Sequence, residues 1–164
     1  MSSRHLYALY PGSFDPITNG HVDIVKRSLL VFQKITLVVA TSGRKNSLLS
    51  VPERVALIQE VFKGTKGVSV GSCKGLIMDY ALKHHANIVI RGLRAASDFE
   101  YEFMMAAMNK KLNSQVETFF MMTGQDLFFI SSTMIKELFL FGANVSPYVP
   151  GPVWKYLKKK IKGR

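Results

Sequence analysis

The sequence predicts a doubly wound α/β fold: a five-stranded parallel sheet with helices on both faces, followed by a C-terminal helix. Three observations carry this expectation. Short β-branched or aromatic runs alternate with stretches of helical apolar spacing, one helix between successive strands, which is the signature of βαβ units. The run "ITLVVAT" is apolar at almost every position, as a strand buried on both faces must be. The predicted strand ends carry glycine, and three of them carry Arg or Lys. Doubly wound sheets bind ligands there, beyond the carboxyl ends of their strands and where the strand order reverses.

The elements follow in order. "HLYALY" (5–10) reads as the first strand. Residues 20–32 place Val22, Val25, Leu29 and Phe32 at helical spacing. Residues 35–41 are the second strand. "SVPERVALIQEVF" (50–62) opens with Ser50 and Glu53 in capping-box spacing and a proline in its first turn. "GVSVGS" (67–72) is a short strand, "GLIMDYALKHH" (75–85) a helix, and "NIVIRG" (87–92) a strand ending at Gly92. Residues 97–112 form a helix, with Ser97 and Glu100 again in capping-box spacing. "VETFFMM" (116–122) is the fifth strand. Residues 131–142 are a helix ended by Gly142, and 152–161 the last helix. The methionine-rich "FMMAAMNKKL" and "FFMM" read as core, with a subunit interface as the alternative.

Composition narrows the class. The chain has 164 residues and 48% apolar content, enough for one domain (1–164) with a real core and too apolar for disorder. No apolar run approaches the roughly 18 residues of a membrane span, and the N-terminus lacks the pattern of a signal peptide. The single cysteine, Cys73, closes no internal disulfide and reads as a packing residue in a cytoplasmic protein. The net charge of +11 suits an anionic partner. Much of it lies in "KYLKKKIKGR", which holds six basic residues and reads as the solvated face of a terminal helix. Nucleic acid is disfavoured as the main partner, because the glycine-flanked cations sit at strand ends and not along one exposed stripe.

Three stretches carry chemistry. In "YPGSFDPITNGH" (10–21), Pro11-Gly12 turns the chain where the first strand ends, and Gly12 permits close backbone approach. Ser13 offers a hydroxyl and an N–H to a phosphate. Asp15-Pro16 makes a second turn, and Asn19 is placed to cap the following helix. His21 falls in the first helical turn, where the helix dipole and nearby cations disfavour imidazolium; a neutral imidazole still donates a hydrogen bond to a phosphate oxygen. In "IRGLRAASDFEYE" (90–102), Arg91 and Arg94 flank Gly92 at a strand end, two planar donors suited to phosphate. In "LFFISST" (127–133), paired hydroxyls open a helix and suit an anion. Neither a Walker loop nor a dinucleotide fingerprint is present.

"GSFDPITNGH" resembles the corner of the HxGH-type nucleotidyltransferases, whose Rossmann-like fold is the architecture predicted above. The order "YPGSFDPITNGH", "IRGLR…DFEYE", "FISST" resembles the bacterial pantetheine-phosphate adenylyltransferase family from Tyr7 to about Tyr156. The resemblance implies transfer of the adenylyl group of ATP to 4′-phosphopantetheine, giving dephospho-coenzyme A and pyrophosphate, with another phosphorylated acceptor as the alternative. It implies His21 as transition-state stabiliser, with Lys45 and Arg94 also catalytic; Arg44, next to Lys45, is placed to exchange roles with it. It implies ATP contacts from Ser13, Phe14, His21, Gly92, Leu93, Arg94 and Glu102, and from Leu127, Phe128, Phe129, Ile130, Ser131, Ser132 and Thr133. Ser13, Lys45, Ile77 and Arg91 would hold phosphopantetheine. Ser13 stands where many relatives have Thr, which keeps the hydroxyl. The resemblance further implies a homohexamer, and Mg²⁺ carried mainly by ATP phosphates and water, because no dedicated carboxylate cage is visible.

Overall fold

A computed structural model describes residues 6–41 and 47–162. The strands are β1 (Tyr7–Gly12), β2 (Lys34–Ala40), β3 (Val68–Cys73), β4 (Ile88–Leu93) and β5 (Glu117–Met122). The helices are α1 (Asn19–Ser28), α2 (Val51–Val61), α3 (Ile77–Lys83), α4 (Ala96–Leu112), α5 (Ser132–Leu140) and α6 (Gly151–Lys162). All strand pairings are parallel, in the order β3-β2-β1-β4-β5. The order reverses between β1 and β4, so the segments leaving these two strands flank the crevice where such sheets bind ligands.

Strand alternation explains why both faces are covered. Ala8 and Tyr10 of β1, Ile35, Leu37 and Val39 of β2, and Ile90 of β4 pack on one side, against Ile24 and Val25 of α1, Leu57 and Ile58 of α2, Ile135 and Phe139 of α5, and Val153 and Leu157 of α6. Leu9, Val38 and Val89 point the other way and meet Met78 and Ala81 of α3. Successive side chains on a strand face opposite sides, and each side has found its apolar layer. None of the helices among the described residues is long and apolar enough to cross a membrane.

Four expectations need correction. Asn19 does not cap α1: Thr18 is the N-cap, and Asn19 is the first helical residue, donating from its backbone to Tyr148 and from its amide to Pro147. Ser97 does not start α4, which begins a residue earlier behind Ala95; Asp98 instead accepts the backbone N–H of Arg94. The first helix ends at Ser28, short of residue 32, so Phe32 reaches the core from a turn while Leu30 and Val31 are exposed. The methionine-rich stretch is not core. None of the described side chains of α4 is buried, and Met104 is 71% and Phe103 57% exposed. The capping box at Ser50 and Glu53 forms as expected.

Candidate active site

The corner after β1 is held in an unusual backbone shape. Phe14 has φ 47, in the left-handed region that side chains rarely adopt. Its ring is fully buried, edge-on to Tyr10 at 5.6 Å and to His21 at 5.0 Å between centroids. The same ring lies over Gly12, where a Cβ would sit 3.0 Å from it. The close approach favours glycine there, as the sequence suggested. Residues 14–18 are all buried, whereas Ser13 is exposed. The corner thus presents Ser13 outward.

His21 closes the start of α1. Its Nδ1 accepts the backbone N–H of Thr18 at 3.0 Å and lies 2.9 Å from the Thr18 hydroxyl. A backbone N–H only donates, so Nδ1 is the acceptor and the neutral ring carries its proton on Nε2. Burial, and then the charge of Arg94, lower the His21 pKa to about 4. The imidazole therefore stays neutral near pH 7 and offers one N–H. Thr18 is 1% exposed, which withholds its hydroxyl from any substrate and argues against a Thr–His nucleophilic pair. The Cys73 thiol is pushed up by burial and then by Asp79, away from the thiolate a nucleophile needs.

The two arginines are pre-oriented by carboxylates of α4. Arg91 makes a bidentate pair with Glu102 (Nε to Oε2 2.7 Å, Nη2 to Oε1 2.5 Å) and donates to the Pro11 carbonyl at 3.3 Å. Arg94 pairs with Asp98 through Nε and Nη2 at 3.0 and 3.1 Å. They serve different sides of the crevice. Arg91 lines a cavity of about 240 Å³ with Pro11, Leu76, Ile77, Glu102 and Met105, charged at one end and apolar along its wall. Arg94 is the cation that acts on His21. Between them, Gly92 admits Ile24 of α1, whose Cδ1 would lie 2.4 Å from a Cβ. The Leu93 side chain is buried, so only its backbone faces the crevice.

The segment between β5 and α5 closes the third side. The Leu127 carbonyl and Thr123 approach Gly20 at the head of α1. Ser132 donates to the Pro16 carbonyl at 2.8 Å, and Ser131 caps α5 by accepting the Met134 N–H at 3.0 Å. Phe128 and Phe129 are exposed, Ile130 is buried in the core, and Thr133 is exposed. The structure therefore brings together Ser13, Phe14, His21, Arg91, Gly92, Leu93, Arg94, Glu102, Ile77 and the 127–133 segment. Lys45 and Arg44 lie outside the described residues.

Two residues that the sequence did not single out, Thr18 and Arg54, help to build the site, and Asp15, expected to shape the corner, does so through specific bonds. Thr18 sits three residues before His21, the capping-box spacing. Asp15 accepts the backbone N–H groups of Leu48 and Leu49 at 2.9 and 2.8 Å; its shaping of the corner was legible only as a turn. Arg54 is 6% exposed and sits on the inward stripe of α2 with Leu57 and Ile58, a charge where the helical period calls for an apolar side chain.

The arrangement offers a neutral N–H donor, guanidinium groups and two helix N-termini around one crevice, which suits phosphate binding and the stabilisation of charge on phosphorus. Among the described residues no group of three or more His, Cys, Asp or Glu gathers to hold a metal. A cation delivered on phosphate oxygens fits such a donor set better than a protein-caged one.

Residues 9–138 match the family model described as cytidylyltransferase-like. The chain is 48% identical over 153 residues to the phosphopantetheine adenylyltransferase of Syntrophus aciditrophicus (strain SB), covering 93% of each protein. It is 47% identical over 154 residues to that of Anaeromyxobacter dehalogenans (strain 2CP-C), covering 94% of each. The chain belongs to the phosphopantetheine adenylyltransferase family. It is an enzyme of the nucleotidyltransferase class. The family's fold recurs at 12% identity in a bifunctional NMN adenylyltransferase/ADP ribose pyrophosphatase from Francisella tularensis, with a TM-score of 0.75 over 96% of this chain and half of that one. A second structure of the Francisella protein, complexed with AMP and a manganese ion, gives a TM-score of 0.72 at 12% identity over 96% of this chain and 49% of that one.

Proposed function

We propose that the chain transfers the adenylyl group of ATP to 4′-phosphopantetheine in coenzyme A biosynthesis, releasing pyrophosphate. An acceptor phosphate oxygen attacks the α-phosphorus in line; the new P–O bond forms as the bond to the β-phosphate oxygen breaks, and pyrophosphate leaves with that electron pair. The nucleophile is already an anion, so neither a general base nor a covalent intermediate is called for. The task left to the protein is orientation and charge stabilisation. The observation that carries the reading is His21, a neutral Nε2–H donor beside Arg94 and across the β1–β4 crevice from the Arg91–Ile77 cavity.

In this reading Ser13 and Phe14 offer backbone, and Ser13 its hydroxyl, to the phosphates. Arg94 takes the β- and γ-phosphates, with Gly92, Leu93 and Glu102 nearby. The 127–133 segment holds the adenosine, with Phe128 and Phe129 exposed. Arg91 and Lys45 hold the acceptor phosphate, and the apolar wall at Ile77 takes the pantetheine arm. Mg²⁺ held by the triphosphate oxygens would neutralise charge there, with no carboxylate cage of the protein required. The exposed apolar side chains of α4 support a homo-oligomer, for which we propose a hexamer, acting in the cytoplasm.

Pyrophosphate release with ATP and alternative acceptors tests the assignment. 4′-Phosphopantetheine should exceed nicotinamide mononucleotide by orders of magnitude in kcat/KM. Equal or better turnover with nicotinamide mononucleotide, or with a cytidylyl acceptor and CTP, would overturn it.

A further inference from the structure

We propose that Arg54 is a positioning residue for the phosphate seat: paired with Asp15, its guanidinium ties the Ser13 carbonyl to the connection entering α2 and so sets where Ser13 presents its hydroxyl and N–H. The proposal rests on the reading above, in which Ser13 meets phosphate. Arg54 donates from Nε to the Leu49 carbonyl at 2.8 Å and from Nη1 to the Ser13 carbonyl at 3.0 Å. Asp15 stands 3.9 Å from the same Nε and accepts the N–H groups of Leu48 and Leu49. Lys136 of α5 approaches Asp15 at 3.9 Å from the other side. Arg54 and Asp15 are 6% and 7% exposed. Two buried side chains thus organise four backbone groups drawn from two loops.

Stability alone is a poor explanation for this device. A buried ion pair loses hydration on both partners, and apolar side chains of similar volume often serve a core as well or better. The pair supplies direction instead. The guanidinium is planar, so its two donors fix the angle between the Leu49 and Ser13 carbonyls. The next residue along the corner needs such support, because Phe14 occupies the left-handed region at φ 47, a conformation that persists only when its surroundings impose it. Phe14 is held through its ring by Tyr10 and His21, and Ser13 is held through its carbonyl by Arg54. Between these two anchors the corner keeps Ser13 exposed while residues 14–18 are buried.

Arg54→Lys keeps the charge and removes the planar fork, so it separates position from stability. Three measurements are made on the purified variant: melting temperature, ATP affinity by calorimetry, and kcat with KM by pyrophosphate release. The expected result is a melting temperature near that of the wild type, with kcat lower by roughly ten- to a hundredfold and ATP binding weaker by about tenfold, as misplacement by about 1 Å produces. Asp15→Asn, which keeps its shape and one acceptor, loosens the same tie from the opposite partner and should give the same pattern if Arg54→Lys does not fold. Wild-type kcat and ATP affinity in a folded variant would overturn the proposal, as would a loss that disappears when rates are expressed per folded molecule. If the wild type is inactive towards 4′-phosphopantetheine, the functional reading falls. ATP affinity in Arg54→Lys still decides the present one: weakened binding supports it and unchanged binding overturns it.

Discussion

His21 uses one ring nitrogen to close the capping box of α1 and leaves the proton on the other, the donor that the proposed mechanism needs. A donor of this kind typically contributes ~10²–10³ in rate. His21→Ala is therefore expected to fold and to lose at least about two orders of magnitude in kcat, measured by pyrophosphate release at saturating substrates. Near-wild-type turnover would remove His21 from the mechanism. The ring also sets a pH signature. Its pKa is about 4 in the folded chain against an ordinary 6.5. Above pH 6.5 neither the folded nor the unfolded state holds the proton. Between 6.5 and about 4 the unfolded chain takes up a proton that the folded ring refuses, so this contribution to stability is lost as pH falls. Urea unfolding from pH 7.5 to 5 should show a decline that His21→Ala lacks; parallel slopes would refute the assigned burial. At this scale the sequence was legible where spacing encodes chemistry: His21 in a first turn, Gly12 under a close approach. It left the cap of α1 undecided, because Thr18, Asn19 and Gly20 all suit a helix start and the Thr18–His21 spacing alone does not choose among them. It was silent on the partners of Arg91 and Arg94, since an arginine four or eleven residues from a carboxylate is as often solvated as paired.

The join between α2 and α6 shows how elements are locked together. Glu53 is the third helical residue of α2, and its Oε2 receives the Ser50 N–H at 2.6 Å. Its Oε1 accepts Lys160 Nζ and the Tyr156 hydroxyl of α6, each at 2.5 Å. The hydrogen bond from Lys160, then that from Tyr156, lower the Glu53 pKa to about 2. A carboxylate depressed in this way stabilises the fold above its unfolded pKa near 4.5, and that contribution fades as pH falls towards 2. Glu53→Gln should cost about 1 kcal/mol at pH 7, after allowing for solvent screening of a partly exposed pair. A melting-temperature loss of roughly 2–4 °C would follow in a chain of this size. The gap between variant and wild type should narrow below pH 4.5, and a gap that holds constant from pH 7 to 3.5 would refute the ion-pair account. The capping box was readable four letters at a time. The bond to α6 was not, because it joins positions more than a hundred residues apart and "KYLKKKIKGR" looks the same whether its lysines are solvated or bound.

Over the whole molecule, the strand and helix order followed from periodicity, and the strand-order reversal between β1 and β4 marks the candidate crevice. The fate of α4 did not. "FEYEFMMAAMNKKL" has apolar residues all round, a pattern shared by helices sunk in a core and by helices buried between subunits. Here α4 covers its side of the sheet loosely, leaving Tyr101 66%, Met104 71% and Met108 55% exposed. Exposed patches of this kind mark association surfaces more often than free monomer surface. The proposed hexamer makes a measurable statement. Light scattering on the purified protein should give a mass near six times the 18.4 kDa of one chain. Met104→Glu places a charge in the middle of the apolar face, where it would be desolvated on association, and should shift the distribution to smaller species while circular dichroism keeps the wild-type helix content. α4 also carries Glu102 and Asp98, which hold Arg91 and Arg94 in place. Dissociation should therefore lower kcat/KM even in chains that stay folded. A monomeric wild type, or a Met104→Glu variant that keeps the full assembly mass, would overturn the role given to this face.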